Sequence, residues 1–218
     1  PKIHKKLIDF NISISLKRVQ ILMNKLNIKS RITKKYKPYS SKCKEPNMVK
    51  IIDWDFTTTN VNQKWVTDIT YIYTKKDGWC YLASVMDLYT RKIIGYAMSR
   101  NINTKLAIDA VKDDIYKQNP DNEQILHSDL SSQYTSIEFK EYIKSQNIKH
   151  SFSRRGNPYD NALIESFHAS LKKEEVNLSK YTDFKYAKLV IFEYIESWYN
   201  RKRIHSSIGY ITPQLCED

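Results

Sequence analysis

Glycine is scarce in this chain of 218 residues, and the four present, at positions 78, 95, 156 and 209, form no glycine-rich loop of the kind that cradles nucleotide phosphates. ATP-driven chemistry is therefore unsupported. Only three cysteines occur, Cys43, Cys80 and Cys216, with no CxxC pair, and the five histidines do not combine with them at zinc-finger spacing. Neither a disulfide framework nor a structural zinc is expected. No apolar run approaches the roughly 18 residues of a membrane span, and the opening Pro1-Lys2-Ile3-His4-Lys5-Lys6 is not followed by a signal-peptide core. The expectation is a cytoplasmic protein with no membrane association.

Acidic residues are almost missing from the first 50 positions, where Asp9 and Glu45 stand against fourteen Lys and Arg. This stretch carries the whole net charge of +12, and the remainder balances 22 basic against 22 acidic residues. A basic arm on a neutral body suggests a polyanion-binding module attached to a catalytic domain. Ser15 is a plausible N-cap for a helix in which Leu16, Val19, Leu22, Met23 and Leu26 recur at helical spacing, with Lys17 and Arg18 pointing elsewhere. A shorter helix with Ile3, Leu7 and Ile8 precedes it, compatible with a helix-turn-helix and equally with a plain helical hairpin. Lys34 to Pro46 has no hydrophobic period and reads as linker. The expected division is a partial helix-turn-helix-like DNA-binding segment over 1–33, a basic linker over 34–61 and a catalytic core with C-terminal helices over 62–218.

From about residue 62 the pattern turns to strands over 64–73, 79–87 and 92–99, rich in aromatic and β-branched residues and separated by turn signals such as Lys76-Asp77-Gly78. A helix over Thr104 to Gln118, a strand over 124–129, a helix opened by the capping box Thr135-x-x-Glu138 and a strand over 149–153 follow. Two more helices are predicted over about 158–177 and 184–199. The order βββαβαβα is the ribonuclease-H-like arrangement, an α/β fold with a mixed sheet and helices on both faces, preceded here by the small helical segment.

Three acids stand out in this frame. Asp68 lies in Trp65-Val66-Thr67-Asp68-Ile69-Thr70-Tyr71, Asp129 closes Ile125-Leu126-His127-Ser128-Asp129, and Glu165 follows Asn161-Ala162-Leu163-Ile164 on a helix. A carboxylate within a strand disfavours burial unless paired or metal-bound. Carboxylates presented this way can hold two divalent cations about 3.5–4 Å apart and drive phosphoryl transfer on nucleic acid. On the helix, Leu163, Ile164, Phe167 and Leu171 gather on one side, and Glu165, His168 and Lys172 are expected on the opposite, polar face. Alone, such a face would be solvated surface; the two other acids make it a candidate site. Asp87 ends its strand and serves the turn instead, and Asp160 suits the helix dipole. Arg154, Arg155, Lys172, Lys173, Arg201 and Arg203 are candidate DNA-backbone contacts of the core, and Lys17 and Arg18 are candidate DNA contacts of the basic arm.

The segments Trp65 to Tyr71, His127-Ser128-Asp129-x-x-x-Gln133-Tyr134, Ser151-x-Ser153-Arg154-x-Gly156-Asn157-Pro158-Tyr159-Asp160-Asn161-Ala162-x-x-Glu165-Ser166-Phe167 and Trp198-Tyr199-Asn200-x-x-Arg203-x-His205-Ser206-x-x-Gly209-Tyr210-x-x-Pro213 resemble the integrase-core transposases of bacterial insertion sequences. In that family the transposase arises by frameshifting between two reading frames, and this chain is similar to the second-frame product. The resemblance runs from about residue 2 to 215, with 35 residues between Asp129 and Glu165. It implies a retroviral-integrase-like fold, Mg²⁺ or Mn²⁺ dependence, double-stranded DNA as substrate, a homo-oligomer on DNA and a first-frame partner or fusion. It maps the family's acidic triad onto Asp68, Asp129 and Glu165, and its phosphate-contacting basic residue onto Lys172. The family's usual Gly two residues after its second Asp is Ser131 here, so a strained turn beside Asp129 is expected if that Gly serves a positive φ. That serine, and a start at Pro1 within the first helix, favour the alternative of a non-catalytic DNA-binding remnant.

Overall fold

The computed structural model describes residues 1–29, 57–118, 124–153 and 161–218, with the side chains of 113–118 excepted. Strands β1 (Lys64–Thr74), β2 (Gly78–Asp87) and β3 (Ile93–Ser99) form an antiparallel meander. Gly78 takes φ +74° where the first hairpin turns, a conformation a side chain would strain. Strands β4 (Ile125–Ser128) and β5 (Lys149–Phe152) then add in parallel on the other side of β1. The five-stranded order is β3-β2-β1-β4-β5, the mixed sheet that the strand pattern predicts.

Because successive side chains on a strand point to opposite faces, the sheet carries two cores. Val66, Ile72, Leu82 and Met86 pack with Ile164, Phe167 and Leu171 of α6 (Ala162–Leu171) and with Ile191 of α7 (Phe184–Glu193). On the other face Trp65, Ala83 and Val85 meet Leu106, Ala107 and Ala110 of α3 (Thr104–Gln118) and Phe139 and Ile143 of α5 (Ile137–Ser145). Burial of each of these larger side chains stabilises the fold by about 1.5–3 kcal/mol. Helices on both faces of the sheet are thus observed.

Local details depart from the sequence reading. The N-cap of α5 is Ser136, whose hydroxyl accepts from Phe139 N at 3.2 Å, and not Thr135. A short α4 (Ser132–Thr135) occupies the preceding residues, and Thr135 Oγ1 donates back to the Ser131 carbonyl at 3.1 Å instead. Helix α6 passes into a π-helical turn at Lys172–Val176, as α7 does at Tyr194–Tyr199. Of the N-terminal stretch, α1 (Lys2–Asp9) and α2 (Leu16–Lys25) are helical, and Ser15 caps α2 by accepting from Arg18 N at 3.2 Å. Of the five apolar residues assigned to one stripe of that helix, only Val19 is buried, while Leu16 and Leu26 are exposed. Residues 34–56 of the expected linker lie outside the described residues. Among the described residues, no helix is long and apolar enough to cross a membrane.

Candidate active site

The parallel register of β1 and β4 brings the first two acids together. Their last paired residues are Thr67 and Ser128, so Asp68 and Asp129 are the next positions along neighbouring strands, which run about 5 Å apart. Asp129 therefore lies just past the carboxyl end of β4, the usual edge for ligand sites in α/β sheets, and Asp68 lies within β1 at the point where its parallel pairing with β4 stops. Beneath them, Thr67 Oγ1 and the buried Tyr134 hydroxyl are 3.0 Å apart. Burial raises the Tyr134 phenol, and the charges of Asp68 and Asp129 add to it.

The Asp129 carboxyl is pushed up by burial and by Asp68, against the lowering effect of hydrogen bonds from Ser131. Ser131 N donates to Asp129 Oδ1 at 3.0 Å. Ser131 itself has φ −66° and ψ 154°, ordinary extended backbone. The expected strain is absent: no positive φ is needed here, and serine fits as the residue ahead of α4 while holding the carboxylate.

Glu165 is exposed as a residue on α6, and partial desolvation of its carboxyl, then the charge of Asp68, raise it, with His168 opposing. Asp68 is thus the shared neighbour of the other two acids, and it also acts to raise Lys172, whose ammonium is lowered overall by burial. Among the described residues no three His, Cys, Asp or Glu side chains converge closely enough to hold a metal ion. The three acids are electrostatic neighbours in this geometry and not a closed cage. Their donor set is nonetheless all hard carboxylate oxygen, and burial first, with the charge of Asp68 adding to it, disfavours the ionised forms of Asp129 and Glu165, a cost that a divalent cation would relieve.

His168 corrects the helix reading. Expected on the outer polar face with Glu165, it is buried, with Nδ1 at 3.4 Å from Asp68 Oδ2 and Nε2 at 2.7 Å from Ser84 Oγ on β2. The reason is helical spacing: residue 168 is four after Ile164 and three before Leu171, both on the sheet-facing side. The same arithmetic would have found it. Ser84 and Tyr134, in contrast, join the site only through strand pairing and packing.

Of the basic candidates, Lys172 places Nζ 4.0 Å above the Tyr71 ring, and Lys173 is half-buried. Lys17, Arg18 and Arg201 are exposed. Arg154 and Arg155 lie outside the described residues, as does Asp160. Arg203, expected on the DNA-facing surface, is instead committed inward. Its Nε donates to both Glu174 oxygens at 3.0 Å, and Nη2 donates to Ser170 Oγ at 3.1 Å. Asp87, as expected, serves its turn, accepting from Tyr89 N, Thr90 N and Thr90 Oγ1.

A histidine pair underlies Asp129. The Ser128 hydroxyl donates to the Asp129 carbonyl and lies 2.9 Å from His150 Nε2, so that nitrogen carries the proton and donates to Ser128. His150 Nδ1 is then a bare, buried nitrogen with no hydrogen-bond partner among the described residues, and burial followed by the His127 and Lys140 charges lowers this imidazole to about 4. A depressed histidine contributes stability in full above its unfolded value near 6.5, which is lost as pH falls toward 4. By pH 5 the loss is about 2 kcal/mol. Urea melts of the parent and of His150→Gln between neutral pH and pH 5 should diverge by this amount, the parent weakening more; superimposable profiles would remove the assignment.

Comparison with known proteins agrees with this frame. Residues 58–158 and 146–213 each match an integrase core domain. The structure superposes on the HTLV-2 integrase catalytic core domain, solved in complex with magnesium, with a TM-score of 0.55 over 73% of this chain and 98% of that one. It also superposes on a simian T-cell lymphotropic virus intasome chain, with a TM-score of 0.62 over 97% and 73%. Both are 17% identical in sequence, a likeness of fold: the protein has an integrase-type, ribonuclease-H-like core. In sequence it is 37% identical over 217 residues to the transposase for insertion sequence element IS904 of Lactococcus lactis, covering 99% of this chain and 85% of that protein. It is 34% identical over 205 residues to the transposase InsF for insertion sequence IS3A of Escherichia coli, covering 94% and 71%. The chain belongs to the integrase-core transposases of bacterial insertion sequences.

Proposed function

We propose that this chain cuts and joins DNA strands at insertion-sequence ends, with Asp68, Asp129 and Glu165 holding Mg²⁺ or Mn²⁺ and acting on double-stranded DNA as a homo-oligomer. The observation that carries the reading is the β1–β4 register, which makes Asp68 and Asp129 neighbours while Glu165 and Lys172 both lie within electrostatic reach of Asp68. When bound, the divalent cations would polarise the phosphodiester and activate the attacking group, water for cutting and a DNA 3′-hydroxyl for joining. The chain's own side chains do the rest. His168 and the Ser131 amide hold two of the carboxylates in place, and Lys172 binds the DNA phosphate next to the reacting one. Residues 1–33 form the DNA-recognition segment, 34–61 the linker and 62–218 the catalytic core, and a first-frame product supplies or extends the recognition part.

The test is a strand-cleavage assay on duplexes carrying the terminal sequences that flank the coding region, with Mg²⁺ and separately with Mn²⁺. Metal-dependent nicks at the element's ends, followed by joining to target DNA, are expected. Binding without cleavage under both metals would overturn the catalytic reading in favour of a DNA-binding remnant. Of the two features that favoured that alternative, Ser131 no longer does, since it carries no strain. The charge asymmetry adds a second check. If roughly five of the fourteen bases in residues 1–50 touch phosphates, their deletion should flatten the slope of log affinity against log salt by about 4 to 5. Superimposed salt titrations would reduce the arm to a solubilising tail.

A further inference from the structure

Beyond Thr67, β1 has no β4 partner, and its free edge leads away from Asp68 to a cluster of rings that neither core absorbs. Tyr71, Tyr73 and Trp79 are each more than half exposed, at 55%, 55% and 54%. They are not scattered: Tyr71 and Tyr73 each meet the Trp79 ring edge-on with centroids 5.2 Å apart. They line a groove of about 520 Å³ together with Lys75, Lys172 and Lys180, and among the described residues no carboxylate lines it.

We propose that this groove is a stacking site for unpaired nucleobases of the DNA strand that enters the acidic centre. The inference rests on the transposase reading and adds a preference that reading does not contain. Exposed cross-strand aromatic pairs also stabilise hairpins, yet that role asks neither for three lysines around the rings nor for an open groove. Rings with lysines beside them are what a single strand requires, since every base offers a π-face and every linkage a negative charge. A base inside a duplex has both faces covered by its stacked neighbours, so only a frayed end, a flap or a flipped nucleotide can use such a surface. The location fits across the free edge: Tyr71 is three residues along β1 from Asp68, about 10 Å, on the opposite face, and Lys172, with Nζ 4.0 Å from the Tyr71 ring, brings the groove round to the side of the acids. Lys172 joins the two sites, standing over the Tyr71 ring while within electrostatic reach of Asp68. A strand whose phosphate lies at the acids thus has its next unpaired base beside Tyr71 and Trp79. The uniform positive charge of the lining argues for a polyanion here and against an acid-poor apolar segment of a second protein copy.

The experiment uses the full chain and three labelled probes: a thymidine oligonucleotide of about 12 residues, a duplex with a short unpaired end, and the same duplex blunt. Trp79→Ala and Tyr73→Ala should each weaken binding of the oligonucleotide and the frayed duplex roughly ten- to hundredfold, and far more than binding of the blunt duplex. Trp79→Phe, which keeps a ring, should retain most of the affinity, and thermal melts show whether the hairpin survives each change. Equal losses on all three probes, or none on any, would overturn the proposal. So would a variant that alters the sedimentation of the protein alone, which would make the surface a contact between copies. Parent protein that cleaves transposon ends while Trp79→Ala binds every probe normally would defeat the stacking site and leave the transposase reading standing; parent protein that binds none of the probes would defeat both.

Discussion

Asp68→Asn, Asp129→Asn and Glu165→Gln are each expected to lower metal-dependent strand cleavage by roughly a thousandfold or more, about 4 kcal/mol of transition-state stabilisation. Each change removes a charge with little change of shape, so DNA binding should persist. The metal-free state gives an independent readout with a definite sign. Burial and Asp68 raise the Asp129 carboxyl. A carboxyl raised in the folded state is most costly when ionised, above its folded value, and that cost is relieved as pH falls. Asp129→Asn should therefore melt no lower than the parent without metal at neutral pH, and should lose the increase in melting temperature that Mg²⁺ gives the parent. A variant of any of the three acids with near-parent cleavage would strike that residue from the site. A variant that loses DNA binding in parallel would point to misfolding.

The second large effect concerns Arg203. Glu174 accepts from Arg203, from the Tyr194 hydroxyl at 2.9 Å and from Trp198 Nε1 at 3.2 Å, tying the turn after α6 to the turn after α7. The side chains of Arg203 and Glu174 are 15% and 30% exposed. Arg203→Ala would leave the Glu174 carboxylate partly buried without its counter-charge, at a cost of about 2–4 kcal/mol, the lower side of the range for broken buried pairs because water still reaches the site. Arg203→Lys should recover only part of this, since an ammonium cannot reproduce the fork on both oxygens. Urea unfolding measures the loss. Unchanged stability with weakened DNA affinity would return Arg203 to the DNA-contact role that its place in a basic cluster suggested.

The two outcomes for basic residues show where sequence stops. Arg201, Lys202 and Arg203 are consecutive and read as one cluster, but one of them turns inward because α6 and α7 bring Glu174 to it from 29 residues away. No local pattern encodes that meeting. The same holds for Tyr71 and Tyr73: alternation made them strand residues, and only the folded chain shows that neither core covers them.

What the sequence by itself determined follows from short-range physics. Period-two alternation marked β1 to β3, the spacing of Ile164, Phe167 and Leu171 marked the buried face of α6, and Ser15 marked the start of α2, because each depends on side chains a few residues apart. The three acids were legible because their motifs and the order of elements put two at strand positions and one on a helix. The tertiary structure alone decided that Asp68 and Asp129 stand side by side, that Ser84 meets His168 and that Ser131 holds Asp129 without strain. Those contacts join residues up to 84 positions apart. Register between strands and docking of helices are set by the sum of two cores packing at once, a property of the whole chain that no single segment carries.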